Sequence, residues 1–169
     1  LRDVKDGKVI VCSNQWRSLW IDIEVTKDIA PGNYEIELRL KKEGDVVTSA
    51  KQRVTVIGVE LPKQKIMHTE WMHADCLADY YHVDVFSEEH WKILENYFKE
   101  YVKRGCNMML TPLFTSPLDT AVGLERTTTQ LIKVEVVKGE YRFEFSELKR
   151  WIDLCKKCGI EYYEMSHLF

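Results

Sequence analysis

Two segments in the second half of the chain each carry a strong helix pattern that leads straight into a short apolar run. The first, "SEEHWKILENYFKEYVKRG", begins at Ser87, a good N-cap, and stops at Gly105. Its apolar side chains fall on a single stripe: Trp91, Leu94, Phe98, Tyr101 and Val102. "CNMMLTPLF" follows at once and is typical of a buried parallel strand.

The second segment, "SELKRWIDLCKKCG", repeats this pattern and leads into the strand "IEYYEMSHLF". It is predicted to bury Leu148, Trp151, Ile152 and Cys155. With "KIMHTEWMH" as a first strand, the order becomes β-α-β-loop-α-β, which predicts right-handed crossovers and a parallel sheet. The loop holds a β-hairpin, "LIKVEVVKGEYRFEF", at the C-terminal edge of the strands, where α/β proteins build their sites.

The first half of the chain has the two-residue period of β-strands and no helical period. "LWIDIEV", "NYEIELRL" and "QRVTVIGVEL" read as strands, with turns at "IAPGN" and "KKEGD". Short strands at near-regular spacing predict an antiparallel sandwich. We therefore expect a partial β-sandwich over residues 1–60 and an α/β part over residues 61–169.

The composition of the chain argues against several classes of binding partner. A formal charge of -3 gives no basic surface for nucleic acid or anionic lipid, and no apolar run reaches the roughly 18 residues of a membrane helix. The start lacks the features of a signal peptide, and five cysteines, an odd number, favour a reducing, cytoplasmic compartment. "CKKCG" lies at a helix end, which favours packing over redox or zinc chemistry. Phosphate-binding glycine motifs and the G-x-S-x-G elbow do not occur.

Polar side chains follow the predicted strands where the strands end. Because the carboxyl ends of parallel strands share one edge, we expect one rim to carry His73, Asp75, Thr111, Asp119, Glu164 and His167. Carboxylates, imidazoles and aromatic planes are the groups that sugar sites use. The alternatives are that the histidines are structural and that Trp71 belongs to the core. A metal-assisted hydrolase site at His73, Asp75 and His167 is a further alternative, although H-x-D alone is a weak signal and we expect no metal or cofactor.

Three runs together resemble the glycoside hydrolase family 123-like proteins: "HTEWMHADCLADYYHVDVFSEEHW", "KRGCNMMLTPLFTSPLDTAVGLERTTTQL" and "FSELKRWIDLCKKCGIEYYEMSHLF". The resemblance implies a bacterial protein with a β-sandwich before a (β/α)8 TIM barrel. It also implies retaining hydrolysis of β-linked N-acetylgalactosamine, in which the 2-acetamido oxygen attacks the anomeric carbon and an adjacent Asp-Glu pair assists. The candidate substrate contacts are Glu70, Trp71, His73, Asp75, Arg126, Gln130 and His167.

The sequence departs from that family at the catalytic pair. No Asp-Glu dipeptide occurs in the 169 residues, and a full barrel needs about 250. We therefore expect a truncated α/β chain, comprising the end of a sandwich and the first three β/α units of a barrel. The catalytic pair would lie downstream, and this chain alone would be inactive. The alternative is a carbohydrate-binding or scaffolding protein without catalysis.

Overall fold

The computed structural model describes residues 7–114 and 120–165. The chain divides into two compact units, Leu1–Pro62 and Lys63–Phe169. Together the described residues form an α/β structure with three helices and three two-stranded sheets. Among these residues, no helix combines the length and apolar character required to cross a bilayer.

The first unit contains one β-hairpin. Strands β1 (Gly32–Lys42) and β2 (Asp45–Val56) pair antiparallel, with Leu38 opposite Ala50. The turn between them lies at Glu43 and Gly44, both with positive φ. The strands predicted from "NYEIELRL" and from the start of "QRVTVIGVEL" are confirmed, as is the turn at "KKEGD".

The strand predicted over "LWIDIEV" is wrong, because residues 19–25 have no regular structure. Leu19, Ile21, Ile23 and Val25 are each about half exposed, at 45 to 51%. An alternating pattern becomes a strand only when a neighbouring strand pairs with its backbone, and β1 and β2 pair with each other. Within residues 7–62, the second sheet of a sandwich is therefore not formed.

The second unit contains most of the regular structure. Its elements in chain order are α1 (Ala74–Tyr81), α2 (Glu88–Lys103), β3 (Met108–Thr111), β4 (Lys133–Val137), β5 (Glu140–Glu144), α3 (Ser146–Cys158) and β6 (Tyr162–Met165). β3 and β6 pair in parallel, and β4 and β5 form the hairpin, whose turn at Lys138 and Gly139 has positive φ throughout. Both predicted helices, the inserted hairpin and the parallel pairing are confirmed.

Local signals set the ends of the two long helices. The Ser87 hydroxyl accepts a hydrogen bond from the His90 backbone N–H at 3.2 Å, which caps α2. At the start of α3, the Glu144 carboxylate accepts from the backbone N–H and the hydroxyl of Ser146, at 2.6 and 2.8 Å. Gly159 ends α3 in the left-handed conformation that glycine favours, with φ of 96°.

The core packs α2 and α3 against one face of the β3–β6 sheet. Trp151 lies edge-on to Phe98 and Trp91, with ring centroids 5.0 and 6.4 Å apart. Leu94, Met109 and Cys155 belong to the same buried cluster, whereas Leu148 and Ile152 are only half buried. Because side chains alternate along a strand, Met109 and Tyr163 face the helices, while Leu110 and Glu164 face the other side of the sheet.

The first strand predicted over "KIMHTEWMH" is wrong. The His68 carbonyl does accept from the N–H groups of Asn107 and Met108, both at 3.1 Å. At Glu70, however, the Tyr101 hydroxyl accepts from the backbone N–H at 2.8 Å and lies 3.0 Å from the carbonyl oxygen. The same hydroxyl lies 2.7 Å from the carbonyl of Met108. A side chain therefore stands where the ladder of a neighbouring strand would continue.

The segment after this stretch was predicted as a loop and is the helix α1. Ala74, Leu77 and Ala78 are buried at helical spacing, and they pack toward α2. His90 joins the two helices, because its Nε2 lies 3.1 Å from the carbonyl oxygen of Ala74. Burial of this one apolar face explains why eight residues form a helix without a side-chain cap.

Candidate functional site

Three segments meet at the C-terminal end of β3. They are the end of the irregular stretch 65–73, the first turn of α1 and the loop 120–132. They surround a cavity of about 10 Å³, which is room for about one water molecule. Its lining consists of Met72, His73, Ala74, Asp75, Leu110, Pro112, Arg126 and Thr129. These residues form the wall of a cavity that is too small to hold a pyranose.

Asp75 and Arg126, two of the predicted substrate contacts, bind each other. The guanidinium donates through Nη2 to Oδ1 at 3.0 Å and through Nε to Oδ2, so the pair is bidentate. Both side chains are largely buried, with exposed fractions of 6% for Asp75 and 13% for Arg126. The carboxylate and the guanidinium neutralise each other, and the pair holds the loop 120–132 on α1.

The rest of this loop is held by polar contacts and by two buried apolar side chains, those of Leu131 and Ile132. The Thr127 hydroxyl donates to the Asp79 carboxylate at 2.8 Å, and Nε2 of Gln130 donates to the Ile132 carbonyl at 2.6 Å. Leu131 is 1% exposed, and its N–H donates to the Pro112 carbonyl at 3.1 Å. Gln130, a further predicted substrate contact, thus supports the backbone that leads into the hairpin.

Trp71 and Glu164 form a second cluster, on the face of the β3–β6 sheet opposite α2 and α3. The indole Nε1 of Trp71 donates to Oε2 of Glu164 at 3.0 Å. Trp71 is 52% exposed, so a large part of its ring surface is open to a ligand. An exposed aromatic ring beside a carboxylate is an arrangement that suits a sugar, which has an apolar face and a rim of hydroxyls.

Glu70 lies in a third group, apart from these two. Its Oε1 is 3.2 Å from Nε2 of His68, and Nδ1 of His68 is 3.9 Å from the Cys106 sulfur. Cys106 is buried, and burial raises the pKa of its thiol, so the group stays protonated and is a poor nucleophile. His167 and Asp119, which the sequence also suggested, lie outside the described residues.

Residues 71–169 match the family model of the glycoside hydrolase 123 catalytic domain. The chain belongs to this family. The resemblance seen in the sequence is thus confirmed, and membership implies a carbohydrate substrate. No curated protein matches the chain.

The arrangement of side chains in this glycoside hydrolase 123 domain also argues against the alternative of a metal site. No three His, Cys, Asp or Glu side chains converge on a point within residues 7–114 and 120–165. Asp75 already has Arg126 as its counter-ion, so a cation at the carboxylate would have to displace a buried guanidinium. The hypothesis of a site at His73, Asp75 and His167 thus loses physical support at Asp75.

The C-x-x-C of this glycoside hydrolase domain packs into the core. Cys155 is fully buried, and burial raises its pKa strongly; burial also raises the pKa of Cys158. Thiols held in the protonated form are slow to react. The geometry agrees with the packing interpretation of this motif.

Sequence reasoning missed the two residues that position the site wall. It assigned Tyr101 to the apolar stripe of α2, yet its hydroxyl holds the backbone of Glu70. It gave His90 no role, yet this side chain accepts from the Phe86 N–H at 2.9 Å and reaches Ala74. A polar atom on an otherwise apolar helix stripe is the signal that could have identified both.

Proposed function

We propose that this glycoside hydrolase 123 domain hydrolyses β-linked N-acetylhexosaminides, specifically N-acetylgalactosaminides, with retention of configuration. The observation that carries the proposal is the family match over residues 71–169. The exposed Trp71 ring and its neighbouring carboxylate, Glu164, support a sugar as the ligand.

In this mechanism the nucleophile belongs to the substrate. The oxygen of the 2-acetamido group attacks the anomeric carbon, and the bond to the leaving oxygen breaks as an acid protonates that oxygen. A bicyclic oxazolinium ion forms, and water then opens it from the opposite face. Two inversions at the anomeric carbon give net retention, and substrate assistance is a known exception to the scheme with two protein carboxylates.

The protein must still supply two carboxyl groups, one to orient the acetamido group and one to act as acid and base. The 169 residues contain no Asp-Glu dipeptide. The proposal therefore assigns the pair to a later strand of a (β/α)8 barrel. In this proposal, residues 61–169 supply the start of the barrel, with β3 and β6 as two of its strands, and residues 1–60 supply the end of a β-sandwich, in a bacterial, cytoplasmic protein.

Within the chain, the proposal gives the candidate residues two kinds of role. The residues that contact the sugar are Trp71, Glu70, His73 and His167. Asp75, Arg126 and Gln130 act indirectly, because their contacts fix the loop 120–132 that forms part of the wall. This division follows from the bidentate Asp75–Arg126 pair, whose charges neutralise each other.

The test is turnover of an aryl β-N-acetylgalactosaminide by the full-length protein. We expect release of the aryl group, and NMR should show the β-anomer as the first product. The matched control is the aryl β-galactoside, which lacks the acetamido nucleophile and should not react. Equal hydrolysis of both substrates would rule out substrate assistance. Binding of the sugar without turnover would favour the carbohydrate-binding or scaffolding alternative.

A further inference from the structure

We propose that Glu164 is a positioning residue, which holds the Trp71 ring as the platform on which the apolar face of the bound sugar stacks. The inference rests on the proposed function and adds a residue and a contact type to it. Its starting point is the hydrogen bond of 3.0 Å from the indole Nε1 to Oε2 of Glu164. The bond joins the irregular stretch 65–73 to β6, which is far away in the sequence.

Satisfying the indole N–H does not explain this bond. Trp91 and Trp151 are 4% and 0% exposed, and their indole nitrogens have no hydrogen-bond partner among the described residues. Trp71 is 52% exposed, so water could satisfy its N–H without help from the protein. A carboxylate that binds the half-exposed indole therefore serves to fix the orientation of the ring.

The position of Glu164 makes it suitable for this role. It is paired with Leu110 in the β3–β6 sheet, so its backbone is fixed by the parallel ladder. Its side chain lies on the face opposite the helices, where Trp71 is also found. Trp71 itself lies in irregular backbone, which cannot set the direction of a ring as precisely as a strand can.

The chemistry of the pair suits a hexopyranoside. An indole ring covers the C–H face of the sugar, and its stacking depends on the plane in which the ring is held.

The first experiment is independent of the sugar and measures acrylamide quenching of tryptophan fluorescence. The background is the full-length protein with Trp16→Phe and Trp20→Phe, which removes the two most exposed indoles of this chain. The quenching of each variant is compared with that of the same variant carrying Trp71→Phe in addition. The difference between the two is the quenching of Trp71. We expect Glu164→Ala to raise the quenching of Trp71, and Glu164→Gln to leave it unchanged because an amide oxygen still accepts the bond. Equal quenching in all three proteins would overturn the inference.

The second experiment measures the binding of methyl β-N-acetylgalactosaminide by calorimetry. We expect Glu164→Ala and Trp71→Phe each to weaken binding roughly tenfold, as the loss of one charge-assisted hydrogen bond predicts. Since Glu164 acts through the indole, the double variant should be about as weak as Trp71→Phe alone. Fully additive losses would show that Glu164 binds the sugar independently and would overturn the positioning role.

The two readouts separate the failure of this inference from the failure of the proposed function. If the wild-type protein and Glu164→Ala bind the sugar equally well, the inference is overturned and the proposed function is not. A folded wild-type protein that binds no N-acetylhexosaminide overturns the proposed function, and the platform role falls with it. Near-UV circular dichroism of each variant confirms that the core around Trp151 is intact.

Discussion

Arg126 binds both carboxylate oxygens of Asp75, and this contact ties the loop 120–132 to the first turn of α1. The two side chains come from distant parts of the sequence and are 13% and 6% exposed. Taking two charges out of water is costly, and their mutual attraction offsets that cost only while both partners are present. The pair therefore makes the position of the loop strongly dependent on each partner.

Removal of Asp75 should destabilise the second unit. Asp75→Ala leaves a guanidinium nearly buried without its counter-ion, and we expect the free energy of unfolding to fall by about 3 kcal/mol. Urea denaturation followed by circular dichroism gives the value. The control is Lys133→Ala, which removes an exposed ion pair with Glu135 and should have no measurable effect. The double variant Asp75→Ala with Arg126→Ala should lose less than the sum of the single losses.

The Tyr101 hydroxyl should contribute to stability beyond its ring. Tyr101→Phe keeps the ring and removes the group that binds Glu70 and Met108, so we expect a loss of about 1–2 kcal/mol. The matched control is Tyr97→Phe on the same helix, whose hydroxyl contacts only the half-exposed Tyr81 hydroxyl among described residues. Thermal unfolding measures both, and hydrogen exchange at the Glu70 amide should accelerate in Tyr101→Phe alone. Similar results for the two variants would contradict the role given to Tyr101.

Stability should fall as the pH drops below about 6.5, the ordinary pKa of histidine. His90 is fully buried, and burial lowers its pKa in the folded state. Its Nδ1 accepts from the Phe86 N–H, so this nitrogen cannot carry a proton in the folded chain. The unfolded state therefore binds more protons than the folded state between the folded pKa and about 6.5, and stability is lost across that window as pH falls.

The measurement is urea denaturation at several pH values between 5 and 7.5, for the wild type and for His90→Asn. The wild-type slope should approach about 1.4 kcal/mol per pH unit in the window, the limit for one proton. His90→Asn should be less stable throughout, with a smaller slope. Equal slopes would assign the pH dependence to the other histidines.

The thiols of Cys12 and Cys155 should react at two clearly different rates. Cys12 is exposed and should react with a disulfide reagent within minutes at pH 8. Cys155 is buried with a raised pKa, and it should react only when the protein unfolds. Mass spectrometry after brief alkylation identifies the modified residues. Rapid labelling of Cys155, or a disulfide between Cys155 and Cys158, would instead support the redox interpretation.

The sequence predicted the elements whose signals are local. Ser87 and Gly105 mark the ends of α2, and Lys138–Gly139 marks the hairpin turn, because each depends only on neighbouring residues. The first strand failed for a non-local reason, since its place in the ladder is taken by the Tyr101 hydroxyl. The helix α1 was missed because its apolar period spans only two turns and is interrupted by polar residues.

The sequence identified residues of the candidate site but not the contacts between them. Asp75 was identified from its place after a predicted strand and Arg126 from the family resemblance, but that they bind each other depends on the path of the loop between them. Trp71 was identified as well, whereas the bond from its indole to Glu164 requires the register of β6 beside β3. Such pairings are fixed by tertiary structure, which a single sequence does not reveal.

Among the residues that the structure describes, the strands of the hairpin β4–β5 pair only with each other, and their register is set by their own two-residue turn. The hairpin lies between β3 and α3 in the chain. The packing of β3, α3 and β6 therefore does not depend on the length of the hairpin. Residues could be inserted or removed at Lys138 and Gly139 while the spacing of β3 and α3 is kept. This turn is accordingly a suitable point for engineering a tag or a fluorescent reporter.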